Sequence, residues 1–235
     1  MKCATILVTG PGRSGTSFTT EILHRDLNVH MGSYFLKPDE FNKEGYWEDL
    51  PMADLSDMSL TSRMDYYSFQ TILDRMLKFY NSQSPVWGWK DPRLCHTMHW
   101  FLPYLRNPLI VWCDRDTELM LKSKWWGAKR ETWQGTVQTH SEIPDISSDP
   151  EYWITNRKTV GGFFLDHTDL PVLRIDFTQR RRKAEVKSLL ADFLEDNGVD
   201  LEELKSIQMP DTYAVGNYTC DFRTLTVGIG DSTIV

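Results

Sequence analysis

Apolar positions along the chain follow two periods. Short unbroken apolar runs recur at ATILVTG (4–10), PVWGWK (85–90), NPLIVWCD (107–114) and LPVLRIDF (170–177), each bounded by glycine, proline or a charge. Runs of this length read as strands buried on both faces. Between them the spacing lengthens to three and four. Phe18, Ile22 and Leu23 predict a helix over 16–26. Phe69, Ile72, Leu73, Met76, Leu77 and Tyr80 predict one over 63–80. Val186, Leu189, Leu190, Phe193 and Leu194 predict another, which Gly198 can end. Asp116 can cap a helix through Leu119, Met120 and Ser123, and Asp149-Pro150 reads as one more helix start. Residues 28–50 carry no clear period and read as an irregular segment over one end of the sheet. Residues 135–149 read as loop, and roughly the last 25 residues are too weakly patterned to assign.

Strands alternating with helices predict an α/β fold, a parallel sheet flanked by helices in three layers, as one domain over 1–235. Ligands of such sheets sit at the carboxyl ends of strands. That expectation brings Gly10–Ser17, Lys90–Arg93 and Arg115 to one rim, although they lie far apart in sequence.

Composition narrows the partners. A length of 235 residues supports a sizeable core, and a net charge of −7 argues against nucleic acid or an anionic membrane as the bulk partner. The basic run Arg180, Arg181, Arg182 and Lys183 reads as a solvated helix start. No apolar run approaches the roughly 18 residues of a membrane span. The N-terminal MKCATILVTG runs straight into a glycine loop and is short for a signal peptide, so a cytoplasmic location is expected. The four cysteines are scattered, which suggests neither a disulfide framework nor a zinc site, and Cys3 and Cys113 read as buried thiols.

The chemistry concentrates at VTGPGRSGTS, residues 8–17. It reads almost as the phosphate loop G-x-x-x-x-G-K-[ST], but Thr16 stands where the lysine belongs. A glycine-rich turn offers backbone N–H groups to an anion, and Gly10, Gly12 and Gly15 let the chain turn tightly. Thr16 and Ser17 add hydroxyl donors, and Arg13 adds a forked cation suited to phosphate or sulfate. Without the lysine, transfer of a γ-phosphate is poorly served. At the end of the 107–114 run, Asp114 is followed at once by Arg115 rather than standing as an isolated Mg²⁺ carboxylate.

GPGRSGTS resembles the 5′-phosphosulfate loop of P-loop sulfotransferases, which use 3′-phosphoadenosine 5′-phosphosulfate (PAPS), in the arginine variant of tyrosylprotein and bacterial or Golgi-type carbohydrate enzymes. IVWCDRDTELMLKS is similar to that family's 3′-phosphate motif, with Arg115 at a strand end and Ser123 eight residues later. WGWKDPR and NKEGYWED resemble its K-D-P segment and its N-x-x-G-[FYW]-[FYW]-E-[DN] stretch, and the resemblance runs over about 4–197. It implies metal-free, in-line transfer of a sulfuryl group to a hydroxyl or amine. Gly12, Arg13, Ser14, Gly15, Thr16 and Ser17 would hold the 5′-phosphosulfate, and Arg115 and Ser123 the 3′-phosphate. Lys90 would stabilise the leaving group, and Arg93 would pair with Asp91 or touch substrate. Glu48 is the first choice for general base, with Asp49, Asp39, Glu40, His96 and His99 as alternatives. His96 and His99 read more simply as partly buried histidines than as a metal pair. Of the nine tryptophans, Trp112 and Trp153 read as core, while Trp47, Trp125, Trp126 and Trp133 are candidates for an acceptor cleft. The acceptor is open among small molecules, lipids, glycans and peptide tyrosine. A P-loop small-molecule kinase using ATP and Mg²⁺, or a non-catalytic nucleotide-binding relative, stands as the alternative.

Overall fold

The computed structural model describes residues 2–38, 43, 45–60, 64–123, 149–221 and 226–234, with 36, 214–221 and 226–234 described by their backbone alone. Four of the expected runs form one sheet: β1 (Ala4–Thr9), β3 (Val86–Lys90), β4 (Pro108–Asp114) and β5 (Val172–Asp176), ordered β3-β1-β4-β5. All three pairings are parallel. From β1 the chain goes to β3 on one side and to β4 on the other. The crevice at the carboxyl end of β1 is therefore the natural ligand position of such a sheet.

Helices cover both faces. β1 is buried at every position because alternate residues enter different cores. Ala4, Ile6 and Val8 pack with Ile22 and Leu23, with Val186, Leu190 and Leu194 of α7 (Lys183–Asp196), and with Leu201 and Leu204 of α8 (Leu201–Ser206). Leu7 enters the opposite core with Trp87, Trp89, Ile110 and Trp112, beneath α3 (Tyr66–Gln83) and α4 (Leu94–Phe101). There Tyr80 and Trp87 stack at 4.7 Å between ring centres. α2 (Leu50–Leu60) lends Met52 and Leu55 to the same core.

Capping explains most helix boundaries. Asp65 accepts from Ser68 N, so α3 begins at Tyr66 rather than at residue 63. Asp116 caps α5 (Thr117–Leu121) by accepting from Leu119 N, and Ser123 falls just beyond the helix end. Asp149 caps α6 (Pro150–Asp166), with Pro150 in the first turn. α7 closes before Gly198, whose φ of +84° suits glycine. The helix expected over 16–26 is α1 (Thr16–Glu21) followed by a π-helical turn, Ile22–Asp26.

Two expectations need correction. Cys3 is half-buried rather than buried, because it precedes the sheet. The unassigned tail forms β6 (Tyr213–Asp221) and β7 (Thr226–Ile234), antiparallel to each other. With β2 (Tyr34–Leu36), which pairs parallel to β6, they make a second three-stranded sheet. No helix among the described residues is long and apolar enough to cross a membrane. The Arg180–Lys183 run is exposed or half-exposed at the start of α7, as a solvated helix start should be, and Lys183 pairs with Asp26 at 2.9 Å.

Candidate functional site

The glycine loop leaves β1 at Thr9, whose Oγ1 donates to the Asp91 carbonyl at 2.9 Å and ties the loop to the end of β3. Gly10 has φ +146°, and a Cβ there would stand 2.0 Å from the Cys113 carbonyl oxygen. Gly15 has φ +103°, and a Cβ there would stand 2.7 Å from the Phe177 ring. Both positions therefore require glycine, for conformation and for space. Arg13, between them, holds φ +71°.

Beside this loop lies a cavity of 750 Å³, bounded by segment 46–48, the ends of β3 and β4, the start of α4, α5 with the turn after it, and α6. Among the described residues six basic side chains line it, Arg13, Lys90, Arg93, Arg115, Lys122 and Arg157, against three acidic ones, Glu21, Glu48 and Asp91. A chain of net charge −7 thus keeps a positively charged cleft.

Gly12, Arg13, Gly15, Thr16, Ser17, Glu48, Lys90, Arg115 and Ser123, all expected from sequence, line this one cavity. Ser17 Oγ donates to the Tyr46 carbonyl at 2.9 Å, which fixes the Glu48 segment beside the loop. Ser14 departs from expectation. It is fully buried beneath the loop, its N–H donates to the Pro11 carbonyl, and its hydroxyl does not reach the cavity.

Lys90 is 2 % exposed, and its Nζ lies 2.6 Å from Glu48 Oε1. Arg93 Nε reaches Asp91 Oδ1 at 2.9 Å, and its terminal nitrogens lie 3.5 Å from Asp57 and 4.0 Å from Glu48. Burial disfavours charge on Glu48, but Lys90 and Arg93 outweigh it and hold the carboxyl below its ordinary range. Burial works the same way against Arg93, and Asp91 and Glu48 outweigh it and keep the guanidinium charged.

Arg115, on the same cavity wall, is not matched in this way. Arg115 makes no side-chain ion pair among the described residues, and its Nε is buried without a hydrogen-bond partner. The adjacent Asp114 is engaged instead by Lys158, at 2.9 Å. Lys122 approaches Glu118 only at 3.9 Å.

The other candidates separate. Asp49 is fully buried outside the cavity, accepting from Ser33 N at 2.8 Å and from the Tyr80 hydroxyl. Burial pushes its carboxyl up to about 6. It anchors β2 to α2 rather than facing a ligand. Among the described residues His96 is half-buried, His99 is exposed, and neither lines the cavity. Trp47 is 3 % exposed and packs on His24 and Phe35, so it is core rather than cleft. Trp112 is core as expected, whereas Trp153 is half-buried beneath Arg157. Asp39, Glu40, Trp125, Trp126 and Trp133 lie outside the described residues.

Sequence reasoning missed Arg157. An arginine within an amphipathic helix reads as solvated face. The available signal was its place four residues from Trp153 and from Gly161. No protein-family model and no curated protein matches this chain.

Proposed function

We propose that this protein is a sulfotransferase that moves a sulfuryl group from PAPS to a hydroxyl or amine acceptor. The observation that carries the reading is Arg115, which has no ion pair among the described residues and a buried orphan Nε, in the same cavity as a glycine loop too tight for any side chain at Gly10 and Gly15. Two anion sites in one cleft suit a nucleotide carrying phosphates at both its 3′ and 5′ positions.

In this reading the glycine loop, Arg13, Thr16 and Ser17 hold the 5′ end, and Arg115 with Ser123 holds the 3′-phosphate. The bound donor supplies an activated sulfuryl group on a good phosphate leaving group. Glu48 accepts the acceptor's proton as the new bond to sulfur forms, and Lys90 donates to the departing phosphate oxygen. Both are held in one ion pair before ligand arrives, so an incoming anion competes with Glu48 for Lys90. The acceptor belongs to small molecules, lipids or glycans.

Calorimetry tests it. Adenosine 3′,5′-bisphosphate should bind at least tenfold more tightly than ADP or ATP with Mg²⁺. Tighter binding of ATP would favour a kinase and overturn the proposal.

A further inference from the structure

The helix α6 carries one row of side chains spaced by four: Trp153, Arg157, Gly161 and Leu165. Its C-terminal part, Gly161 and Leu165, faces the core beneath the sheet, while Trp153 packs with Met120 of α5. Leu165 is buried in the core with Trp112 and Cys95. Gly161 is buried so tightly that a Cβ would stand 2.4 Å from the Trp112 ring and 3.6 Å from Cys95 Cβ. The backbone of α6 is thereby pressed onto β4 and α4. One turn towards the helix N-terminus, the next position on this row is Arg157.

Helical side chains tilt towards the N-terminus. For α6 that is the end nearer the cavity, and Arg157 lines the cavity wall. Trp153, one turn further, lies with its ring 4.9 Å from the guanidinium carbon. That stacking fixes the plane of the guanidinium without supplying a counter-charge. Nε of Arg157 is buried without a hydrogen-bond partner, and no carboxylate among the described residues pairs with it.

The nearby carboxylates are already engaged: Glu48 with Lys90, and Asp91 with Arg93. Burial pushes the Arg157 guanidinium down from its ordinary value, while Asp91 and Glu48 act on it from a distance. The same electrostatic neighbourhood includes Cys95, His96 and Arg93, all at the start of α4. Gly161, one turn away, abuts Cys95 near the start of α4, where Arg93 reaches Asp91 and Glu48, so Arg157 lines the cavity on the side of that group, while its neighbour Lys158 reaches the Arg115 carbonyl.

We propose that Arg157 forms an oxyanion subsite of its own, taking a tetrahedral anion of the sulfate class beside Glu48 and Lys90 and separate from the phosphate held at Arg115. The subsite rests on the sulfotransferase reading for the neighbouring phosphate, the nucleotide probe and the source of the oxyanion, whereas its binding of inorganic sulfate does not. The oxyanion has two possible sources, the sulfuryl group of the donor or an anionic group on the acceptor.

The test is calorimetry of inorganic sulfate against protein saturated with adenosine 3′,5′-bisphosphate, in wild type, Arg157→Gln, Arg157→Lys and Arg115→Ala, with thermal unfolding to verify each fold. Arg157→Gln should weaken sulfate about tenfold or more and change bisphosphate affinity less than twofold, with partial recovery in Arg157→Lys. Arg115→Ala should weaken the bisphosphate instead. A loss of PAPS affinity in Arg157→Gln assigns the oxyanion to the donor. Unchanged PAPS affinity with lost sulfate binding assigns it to the acceptor. Sulfate binding unchanged in Arg157→Gln, or bisphosphate affinity lost as in Arg115→Ala, overturns the subsite. If wild type ignores the bisphosphate, the nucleotide reading fails, and the comparison of sulfate binding to ligand-free wild type and Arg157→Gln still decides the subsite.

Discussion

Lys90 Nζ lies 2.6 Å from Glu48 Oε1, joining the last residue of β3 to the segment ahead of α2. The lysine is nearly inaccessible and the glutamate about one-fifth exposed. Removing either partner strands the other in a poorly hydrated place. Lys90→Ala should lower stability on the order of 3 kcal/mol in urea unfolding. The Lys90→Ala/Glu48→Gln double variant should lose much less than the sum of the single losses, and strict additivity would refute the coupling.

Glu48→Gln keeps the shape of the side chain and removes the proton acceptor. Under the proposed chemistry it should reduce sulfate transfer from PAPS by roughly a hundredfold or more, with bisphosphate affinity nearly retained. Retention of turnover would move the base elsewhere.

Arg115→Ala should weaken adenosine 3′,5′-bisphosphate by roughly a hundredfold and adenosine 5′-phosphate very little. Equal losses for the two nucleotides would mean that Arg115 contacts something other than the 3′-phosphate.

Acid stability turns on two histidines. Burial lowers both His24 and His30 from 6.5 to about 4. Between these values the unfolded chain binds protons that the folded one does not, so stability is complete above pH 6.5 and falls as pH drops towards 4. Asp49 opposes this. Its carboxyl, raised from 3.8 to about 6, gains protons in the folded state first and favours folding as pH falls across that window. Two histidines against one aspartate leave a net loss. Thermal unfolding between pH 7 and pH 4 should show it, and Asp49→Asn should steepen it. A flat profile would contradict the burial of the pair.

Gly161 and Gly162 offer a matched comparison on α6. A Cβ at Gly161 meets Trp112, whereas a Cβ at Gly162 meets nothing within 4 Å. Gly161→Ala should destabilise by about 1–3 kcal/mol through overpacking. Gly162→Ala should stabilise by about 0.5–1 kcal/mol through helix propensity. Denaturant midpoints that move together would contradict the helix packing described.

The central sheet was legible because β1, β3 and nearly all of β4 are buried on both faces, whereas β5, buried only at Ile175 and exposed at Arg174 and Asp176, was legible from its apolar run and the proline that bounds it. The cavity rim was legible because Lys90 and Arg115 sit at strand ends, where an α/β sheet exposes them. β6 and β7 were not, since residues 213–234 hold several glycines and no sustained alternation, and the antiparallel pairing of their backbones leaves no such pattern in the sequence. Ser14 was misplaced because a loop residue's direction depends on the turn, and here Gly10 lets its side chain tuck beneath. Arg157 escaped notice because an arginine inside a helix reads as solvated until the contact of Gly161 with Trp112 shows which side of that helix is packed.

Arg13 holds a left-handed backbone, at φ +71°, that glycine would adopt without strain. In Arg13→Gly the relaxed turn offsets part of what the lost side-chain contacts cost the fold. The same change removes a cation from the cleft. Under the proposed function Arg13 exchanges backbone ease for a cation in the cleft, as strained residues at binding sites do.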